Sequence, residues 1–424
     1  MQIFENPLRE VWPELLQRPS FQGAELELKV QEILNQVKLD GDEAILSLTE
    51  RFDGHRPTQL EVPAVEWQAA AASLDEDLKA AIDQAYANIR LFHQAQTSEV
   101  VKIETMPGVV CWRKSIPIQK VGIYIPGGTA PLFSTVLMLG VPAQLAGCPE
   151  IVLCSPSQHP AIYYAASKVG VTRVFRMGGA QAIAALAYGT SSVPQVSKIF
   201  GPGNQFVTLA KQIVNKEGVA IDMPAGPSEV AVWADHSANP VFVAADLLSQ
   251  AEHGADSQVV LVSTDRDLVD RVVLEVAKQV VTLPRRALAE AALIHSKAIW
   301  FADPQDALDC VNAYAAEHLI LALEKPDSVL DQITDAGSVF VGHFTPESCG
   351  DYASGTNHTL PTSGFARAYS GVSLDSFVKK VTFQEISPAG LQQVGPIVET
   401  MATAESLTAH QRAVRVRLDS LLTD

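Results

Sequence analysis

The chain has 424 residues, which is too long for one compact core, so two or more domains are expected. Hydrophobic residues make up 47% of it and charged residues 19%, a balance that is typical of globular proteins and excludes a disordered chain. The formal net charge is -17. Because like charges repel and the sequence has no Lys/Arg cluster, neither nucleic acid nor an anionic membrane is expected as a partner.

Export and thiolate metal chemistry are both unexpected from the sequence. The first 20 residues mix charged with apolar residues and lack the apolar core of a signal peptide, and no apolar stretch reaches membrane-spanning length. The five cysteines are scattered and never spaced as C-x-x-C, which fits a reduced cytoplasm and argues against a disulfide framework and a thiolate zinc site. A cytoplasmic location is therefore expected, and a bound metal would have nitrogen and oxygen ligands.

Helices are predicted for most of the first hundred residues. Apolar residues recur at helical spacing over 25–51 and 65–96, with few helix breakers. From 109 to 125 the pattern changes to β, in the runs VVCWRK and VGIYI bounded by prolines. A helical first part is thus followed by the first predicted strands.

Short apolar runs then alternate with helical stretches. The predicted strands are IVLCS (151–155), VTRVF (171–175), VAIDM (219–223), VAVWA (230–234), VVLVS (259–263), LILAL (319–323) and SVFVG (338–342). Such alternation is typical of βαβ crossovers and of parallel sheets covered on both faces, and the number of strands favours two sheets. The last fifty residues are predicted to be helical, chiefly over 404–421, as a tail that docks on another domain or subunit.

Four of the ten histidines stand in suggestive surroundings, although a lone histidine is more often a surface or core residue than a ligand. Gln250 and His253 are three residues apart at the end of a predicted helix, so both can point at one centre. A polar helix end followed by Gly254 as its cap explains the same residues, and from them alone it is the better explanation. His410 and Glu405, in the C-terminal helix, are interpreted by themselves as ordinary exposed residues.

Two further segments combine a carboxylate with an imidazole. The segment from Cys349 to His358 is rich in turn formers and holds Asp351 in a predicted loop, where functional groups collect, although a simple Asx turn explains it equally well. Glu317 and His318 stand where a predicted helix gives way to a strand, a junction that can aim both side chains into one cleft. Such a pair suits proton transfer at neutral pH, and a solvated helix end is the comparable alternative.

Three glycine-rich turns are candidates for binding phosphate. They are IPGGT (125–129), MGGAQ (177–181) and GPGN (201–204), and each follows an apolar run and precedes a helical one. Backbone N–H groups and the helix dipole attract anions at such turns. None has the G-x-G-x-x-G spacing of the usual dinucleotide fingerprint, so a nucleotide is only one of the options at this point.

Taken together, these segments resemble the L-histidinol dehydrogenase family over about residues 121 to 413. The blocks that carry the resemblance are GIYIPGG (122–128), MGGAQAIAALAYGT (177–190), KIFGPGN (198–204), DMPAGPSE (222–229), DLLSQAEHGADSQ (246–258), AEHLIL (316–321), TPESCGDYASGTNHTLPT (345–362) and ESLTAHQ (405–411). So many long blocks in one order make a specific match.

The resemblance implies a role for twelve residues. It implies one zinc ion per subunit held by Gln250, His253, Asp351 and His410, with Glu317 and His318 as the catalytic acid–base pair. The implied substrate contacts are Ser228, His318, His358 and Glu405 together with the four metal ligands. The implied NAD contacts are Tyr124, Gln181 and Asn204, one in each glycine-rich turn.

The resemblance also implies a fold and an assembly. The family fold is α/β, with two incomplete Rossmann-like parallel-sheet domains, a small N-terminal segment and a C-terminal helical segment, in an intertwined homodimer whose C-terminal segment reaches the neighbour's site. On this chain the expected parts are 1–20 as the N-terminal segment, 21–120 with 230–372 as the larger domain holding the metal and acid–base residues, 121–229 as the inserted NAD-binding domain, and 373–424 as the C-terminal segment.

The activity implied is the zinc-dependent oxidation of L-histidinol by way of L-histidinaldehyde to L-histidine with two NAD, the last steps of histidine biosynthesis. The main alternative is a zinc- and NAD-dependent dehydrogenase of another small alcohol on the same fold. A zinc hydrolase with Glu317 as its base would leave the three glycine-rich turns without a purpose. A non-catalytic α/β protein would have no reason to hold zinc.

Overall fold

The computed structural model describes residues 1–19, 24–128 and 131–422. Thr129, the last residue of the first glycine-rich turn, lies outside them. The strands are β1 (Gln2–Glu5), β2 (Lys102–Met106), β3 (Val109–Pro117), β4 (Lys120–Tyr124), β5 (Glu150–Cys154), β6 (Arg173–Phe175), β7 (Lys198–Phe200), β8 (Ala220–Ile221), β9 (Glu229–Ala234), β10 (Gln258–Ser263), β11 (Lys297–Trp300), β12 (His318–Ala322), β13 (Ser338–Val341) and β14 (Val378–Ile386).

The α-helices are α1 (Trp12–Leu15), α2 (Ala24–Asp40), α3 (Asp42–Asp53), α4 (Ala64–Ala72), α5 (Glu76–Gln94), α6 (Phe133–Ala146), α7 (Pro160–Lys168), α8 (Gly179–Tyr188), α9 (Gln205–Lys216), α10 (Pro240–Ala251), α11 (Arg266–Val280), α12 (Arg286–His295), α13 (Pro304–Tyr314), α14 (Glu347–Tyr352), α15 (Pro388–Ala404) and α16 (Thr408–Ser420). Short 3-10 helices lie at Arg9–Val11, Pro326–Ser328, Leu330–Gln332, Phe365–Arg367 and Leu374–Phe377. Among the residues described, no helix combines the length and the apolar character needed to cross a membrane.

The chain forms two compact units. Unit 1 comprises Met1–Ala95 and Gln119–Phe377, and unit 2 comprises Gln96–Ile118 and Val378–Asp424. Both parallel sheets belong to unit 1. The finer division of the chain at 121–229 that the sequence suggests stays a prediction.

The first parallel sheet of unit 1 has five strands in the order β6-β5-β4-β7-β8. In chain order this is 3-2-1-4-5, the arrangement of a Rossmann-type sheet. Its strands are short and largely buried, and α6 is buried along most of its length because nearly all its residues are apolar or small. This sheet brings the ends of β4 and β7, each followed by a glycine-rich turn, side by side.

The second parallel sheet has six strands in the order β1-β11-β10-β9-β12-β13. From β9 to β13 it repeats the same 3-2-1-4-5 order, and β1 from the N-terminus adds a strand beside β11. Strands β9, β10 and β12 are buried along their whole length, as expected for apolar strands covered by helices on both faces. The predicted α/β class with two Rossmann-like sheets is therefore confirmed.

Some strands were not predicted from the sequence. The predicted β runs correspond to β3 to β6, β8 to β10, β12 and β13, whereas β1, β2, β7, β11 and β14 were missed. Strand β7 has only three residues, too few for a period to be visible. Residues Val378–Ile386 form a strand where a helix was predicted; this strand is mostly exposed and rich in polar residues, so it lacks the apolar alternation that marks a strand.

Unit 2 contains an antiparallel sheet and a helical hairpin. The sheet has the order β14-β3-β2, and β14 pairs with β3 from Val378 opposite Pro117 to Ile386 opposite Val109. Helices α15 and α16 pack against each other, with Arg415 Nη2 at 2.7 Å from Glu399 Oε2. The helical tail predicted from the sequence thus begins at Pro388.

Candidate active site

A pocket of 1020 Å³ in unit 1 brings together most of the residues predicted for the site. Its volume is at the upper end of the range for small-molecule sites. The predicted residues that line it are Tyr124, Gln181, Asn204, Ser228, Gln250, His253, Glu317, His318, Asp351 and His358. Glu405 and His410, the remaining two, belong to unit 2.

The two sheets contribute opposite edges to this pocket. From the five-stranded sheet come turns at the carboxyl ends of the strands, which is where open parallel sheets bind their ligands. From the six-stranded sheet come residues at the amino ends, with Ser228 just before β9 and Glu317 just before β12. The pocket therefore has one side rich in backbone N–H groups and another rich in ionisable side chains.

The third glycine-rich turn is held tightly against the first. Gly201 has φ +128°, and a Cβ atom at this position would lie 2.0 Å from the carbonyl oxygen of Tyr124, so only glycine fits. Lys211 Nζ donates to the Gly201 carbonyl at 2.8 Å and forms a buried ion pair with Asp222, whose Oδ2 accepts from the Gly201 N–H at 2.9 Å. Sequence reasoning missed Lys211 and Asp222, although Asp222 begins one of the blocks that carry the family resemblance.

The predicted NAD contacts are held by the glycine-rich turns and the helices that follow them. Tyr124 ends β4, and its hydroxyl oxygen accepts from the Gly179 N–H at 3.0 Å; burial raises the pKa of this tyrosine to about 12, so the phenol stays protonated. Asn204 lines the pocket and caps α9, with Oδ1 accepting from two backbone N–H groups, so its amide nitrogen is available as a donor. Gln181 is buried in the first turn of α8, at 2% exposure.

Glu317 lies at a sharp turn between helix and strand. Helix α13 ends at Tyr314, Ala315 adopts the left-handed conformation with φ 53°, and β12 begins at His318. The Glu317 side chain is buried, and its Oε2 accepts a hydrogen bond from the Glu229 N–H at 3.0 Å. Burial raises the pKa of Glu317 to about 7, which suits a group that takes up and releases a proton near neutral pH.

His318 contacts groups from three other elements. Its Nδ1 lies 2.9 Å from Gln250 Nε2 and 3.3 Å from the carbonyl oxygen of Glu229, while its Nε2 lies 3.4 Å from Asp351 Oδ1. Burial alone would lower the pKa of His318, but the carboxylates of Glu347, Glu317 and Asp351 outweigh it and raise the pKa to about 10. The carboxylates thus favour the protonated imidazole, whereas the Gln250 amide nitrogen, itself a donor, favours an Nδ1 that accepts.

Glu347 is a buried carboxyl group that sequence reasoning did not identify. It is 1% exposed at the start of α14, and its Oε2 has no hydrogen-bond partner in the described parts of the chain. Burial raises its pKa to about 8. Its position four residues before Asp351, on the same face of a helix, is the signal that could have found it.

Three of the predicted metal ligands have the chemistry that a divalent cation requires. Gln250 directs its amide nitrogen to Glu229 and His318, which leaves the amide oxygen available as a metal ligand. Burial lowers the pKa of His253 and favours the neutral imidazole that binds metals, although the ring keeps an exposed face toward the pocket. Burial alone would raise the pKa of Asp351, but the neighbouring His318 outweighs this effect and lowers it, which favours the carboxylate. The buried Oδ1 of Asp351 makes no hydrogen bond of good geometry to any described residue.

These three donors do not complete a cation site by themselves. Within residues 1–19, 24–128 and 131–422, no group of three or more His, Cys, Asp and Glu side chains is arranged to hold a metal ion. Of the metal ligands predicted in unit 1, His253 and Asp351 belong to these residue types, and Gln250 contributes an amide. The residues present therefore fit a nitrogen and oxygen site that needs a further ligand.

The structure also modifies two predicted positions. Asp351 was expected in a loop but lies on α14, a short helix of six residues. His358 has both ring nitrogens engaged, Nδ1 with the Asp351 carbonyl at 2.8 Å and Nε2 with Thr135 Oγ1 at 3.0 Å. A substrate contact from His358 would have to replace the bond to Thr135.

Glu405 and His410 lie at the tip of the helical hairpin of unit 2. Glu405 follows the last residue of α15, His410 is in the first turn of α16, and both are exposed. Ser406 between them has φ 60°, in the left-handed region, which reverses the chain between the two helices.

Two sheets of Rossmann order, glycine-rich turns beside the switch point and a buried Glu–His pair in one pocket are typical of an α/β enzyme. The family model described as histidinol dehydrogenase matches residues 16–418, and the chain belongs to this family. The predictions of the family and of an oxidoreductase are thereby confirmed.

Relatives support this assignment over the whole chain. The chain is 56% identical to histidinol dehydrogenase of Bacteroides thetaiotaomicron, over 99% of this chain and 100% of the relative, and 51% identical to that of Yersinia pestis, over 96% and 93%. Its fold is similar to the crystal structure of histidinol dehydrogenase from Elizabethkingia anophelis, with a TM-score of 0.96, 52% identity and coverage of 99% of this chain and 98% of that one.

Proposed function

We propose that this chain oxidises L-histidinol by way of L-histidinaldehyde to L-histidine, with two NAD and one zinc ion per chain. The observation that carries the proposal is the single pocket that holds the Glu317–His318 pair, three nitrogen and oxygen donors and three glycine-rich turns. The names of the relatives at 51% and 56% identity support the substrate.

The cofactors supply chemistry that the side chains lack. When bound, NAD would accept hydride, and Gln250, His253, Asp351 and His410 would hold a divalent cation that orients the substrate. Conversion of an alcohol to an acid removes two hydrides and incorporates one water, so two NAD are consumed for each substrate.

In the first oxidation His318 accepts the proton of the substrate hydroxyl group as hydride leaves the carbon. For this the imidazole must be neutral, whereas the carboxylates around it raise its pKa in the metal-free chain. Positive charge beside Asp351 would weaken that effect, because it offsets the carboxylate that lies nearest to Nε2. His318 is thus a base whose proton affinity depends on the occupancy of the neighbouring donors.

In the second oxidation Glu317 removes a proton from water as the water oxygen adds to the aldehyde carbon. His318 returns the proton that it took in the first oxidation to the former carbonyl oxygen. The resulting hydrate then loses its hydride and a proton, which His318, neutral again, accepts. Burial supports this role of Glu317, since it raises the pKa of the carboxyl group to about 7. The N–H of Glu229 holds Oε2, which leaves the other oxygen to take the proton.

We also propose a homodimer in which Glu405 and His410 of one chain serve the site of the other. Their exposure at the tip of a helical hairpin supports this, as does the incomplete donor set in unit 1. The symmetric exchange of such an element is a common route to dimers.

The deciding experiment measures NADH from L-histidinol and NAD, with the chain as isolated, after chelation and after restoration of zinc. We expect close to two NADH per histidinol, lost on chelation and regained with zinc. One NADH per substrate would contradict the second oxidation. No NADH from a folded, zinc-loaded protein would overturn histidinol as the substrate and favour another small alcohol.

A further inference from the structure

Arg18 is a largely buried arginine outside the predicted site. Its Nε lies 2.6 Å from Glu229 Oε2 and its Nη2 lies 2.9 Å from Oε1, so the guanidinium holds the carboxylate by two parallel bonds. The two side chains are 15% and 1% exposed. The guanidinium also lies over the ring of Tyr314, 4.0 Å from its centroid. Arginine, with its planar fork, suits such a position and lysine does not.

The same guanidinium holds the turn that precedes Glu317. Arg18 Nη2 donates to the carbonyl oxygen of Tyr314 at 2.5 Å and approaches that of Ala315 at 3.4 Å. Ala315 has φ 53°, a conformation that a residue with a Cβ atom rarely adopts and that the surroundings must therefore impose. The direction in which the chain enters β12 depends on this turn.

Glu229 connects the guanidinium with the reactive side chains. Its N–H donates to Glu317 Oε2 at 3.0 Å, and its carbonyl oxygen lies 3.4 Å from Gln250 Nε2 and 3.3 Å from His318 Nδ1. A displacement of the Glu229 backbone would move all three. Arg18 thus acts on Glu317 from both sides, through the residue that binds its carboxylate and through the turn before it.

We propose that Arg18 is a positioning residue for the acid–base pair, which it aligns by clamping Glu229 to the Tyr314–Ala315 turn. Since Arg18 does not line the pocket, its effect passes through these residues. The inference rests on the proposed function, because it assumes that Glu317 acts in the second oxidation. It predicts that loss of the clamp impairs that oxidation more than the first.

The test compares Arg18→Met with Arg173→Met. Arg173 makes a similar bidentate pair with Glu61, at 2.9 and 2.6 Å, outside the pocket. We expect Arg18→Met to lower the yield from about two NADH per histidinol consumed toward one, with the KM for L-histidinol changed less than about twofold. The yield per substrate consumed does not depend on how much protein is folded. Arg173→Met should keep the native yield.

Two further variants guard against a failure to fold, because Arg18→Met leaves the buried Glu229 carboxylate without a partner. Arg18→Met combined with Glu229→Gln removes that unpaired charge, and Arg18→Lys keeps the positive charge but not the fork. We expect the double variant to keep the low yield and Arg18→Lys to give an intermediate one. A native yield from the folded double variant would overturn the proposal.

A second readout is independent of turnover. Amide hydrogen exchange should become about tenfold faster in peptides that cover 226–232 and 313–320 in the Arg18 variants, and should be unchanged there in Arg173→Met. Unchanged exchange in the Arg18 variants would overturn the proposal even if the native chain produced no NADH. In that last case the proposed function would fail separately from the clamp.

Discussion

Nε2 of His318 lies 3.4 Å from Oδ1 of Asp351, so the proposed base and a proposed metal ligand are neighbours inside one pocket. Neither atom makes a hydrogen bond of good geometry to any residue that the structure describes. Two buried polar atoms without such bonds are costly unless a further group binds between or beside them. Proton transfer and metal binding are therefore expected to be coupled at this site.

Loss of His253 should abolish metal binding without unfolding the chain. Its ring keeps an exposed face in the pocket, so His253→Ala leaves no large cavity in the core. Loss of an outer-shell partner lowers metal affinity by about tenfold to hundredfold, so we expect loss of a ligand to lower zinc affinity by more. Metal analysis after dialysis measures the zinc that stays bound. His236→Ala, which removes an exposed imidazole outside the pocket, is the control and should retain zinc. Full zinc content in His253→Ala would exclude this histidine as a ligand.

Glu317→Gln should separate the two oxidations. The amide cannot take a proton from water, so the aldehyde step should slow by about a hundredfold to ten-thousandfold while alcohol oxidation is largely kept. The measurement is the amount of NADH and of L-histidine formed from a limiting amount of L-histidinol. Glu324→Gln changes an exposed carboxylate shortly after the same strand and should behave as the native chain. Normal production of histidine by Glu317→Gln would remove Glu317 from the mechanism.

Gly201→Ala should weaken the binding of NAD. The new Cβ atom would lie 2.0 Å from the Tyr124 carbonyl oxygen at φ +128°, so the turn must shift, at a cost of about 1–3 kcal/mol. We expect NAD affinity to fall by about tenfold or more, measured by titration without turnover. Gly218→Ala has a similarly unfavourable φ of +104° but nothing within 4 Å of the new atom. Gly218→Ala therefore separates the effect of the clash from that of the backbone conformation. Equal losses of NAD affinity in both variants would contradict our explanation.

Asp246 should make the stability of the chain depend on pH. Burial raises the pKa of this half-buried carboxyl group from 3.8 to about 7. The folded chain thus binds a proton that the unfolded chain has lost, so the contribution of Asp246 to stability falls as pH rises from about 4 to about 7. Asp246→Asn removes this dependence.

We expect Asp246→Asn to raise the free energy of unfolding at pH 8 by about 1–2 kcal/mol, after allowance for the partial exposure of the side chain, and by less at pH 5. Urea unfolding at the two pH values measures the difference. The exposed Asp331→Asn is the control. An equal effect of Asp246→Asn at both pH values would show that the carboxyl group titrates normally.

Shared sites in a homodimer predict that two inactive variants restore each other. Glu317→Gln changes unit 1 and His410→Ala changes unit 2, so a mixed dimer would contain one site with both changes and one with neither. If the chains mix at random, about a quarter of the native histidine-forming activity should appear after unfolding and refolding together. Activity that stays at the level of the separate variants would show that His410 serves its own chain or no site.

The local pattern of the sequence was sufficient for much of the fold. The buried strands β9, β10 and β12 are continuous apolar runs, and the helix-to-strand junction at Glu317 and His318 is visible as a change of period. The spacing of Gln250 and His253 predicted a common direction at the end of α10, and both line the pocket. These features are encoded by neighbouring residues, so a sequence read in order contains them.

The rest was decided by tertiary structure. Arg18 binds Glu229 across 211 positions of sequence, and Lys211 is paired with Asp222 beside a turn that begins ten residues before it. Which carboxyl groups are buried, as at Glu347, depends on which helix covers which strand end. Such contacts depend on strand order and packing, which bring distant segments together through non-directional burial of apolar surface. The sequence by itself determined most of the buried strands, the glycine-rich turns and the family, and only the packed fold decided which buried charges surround the reactive pair.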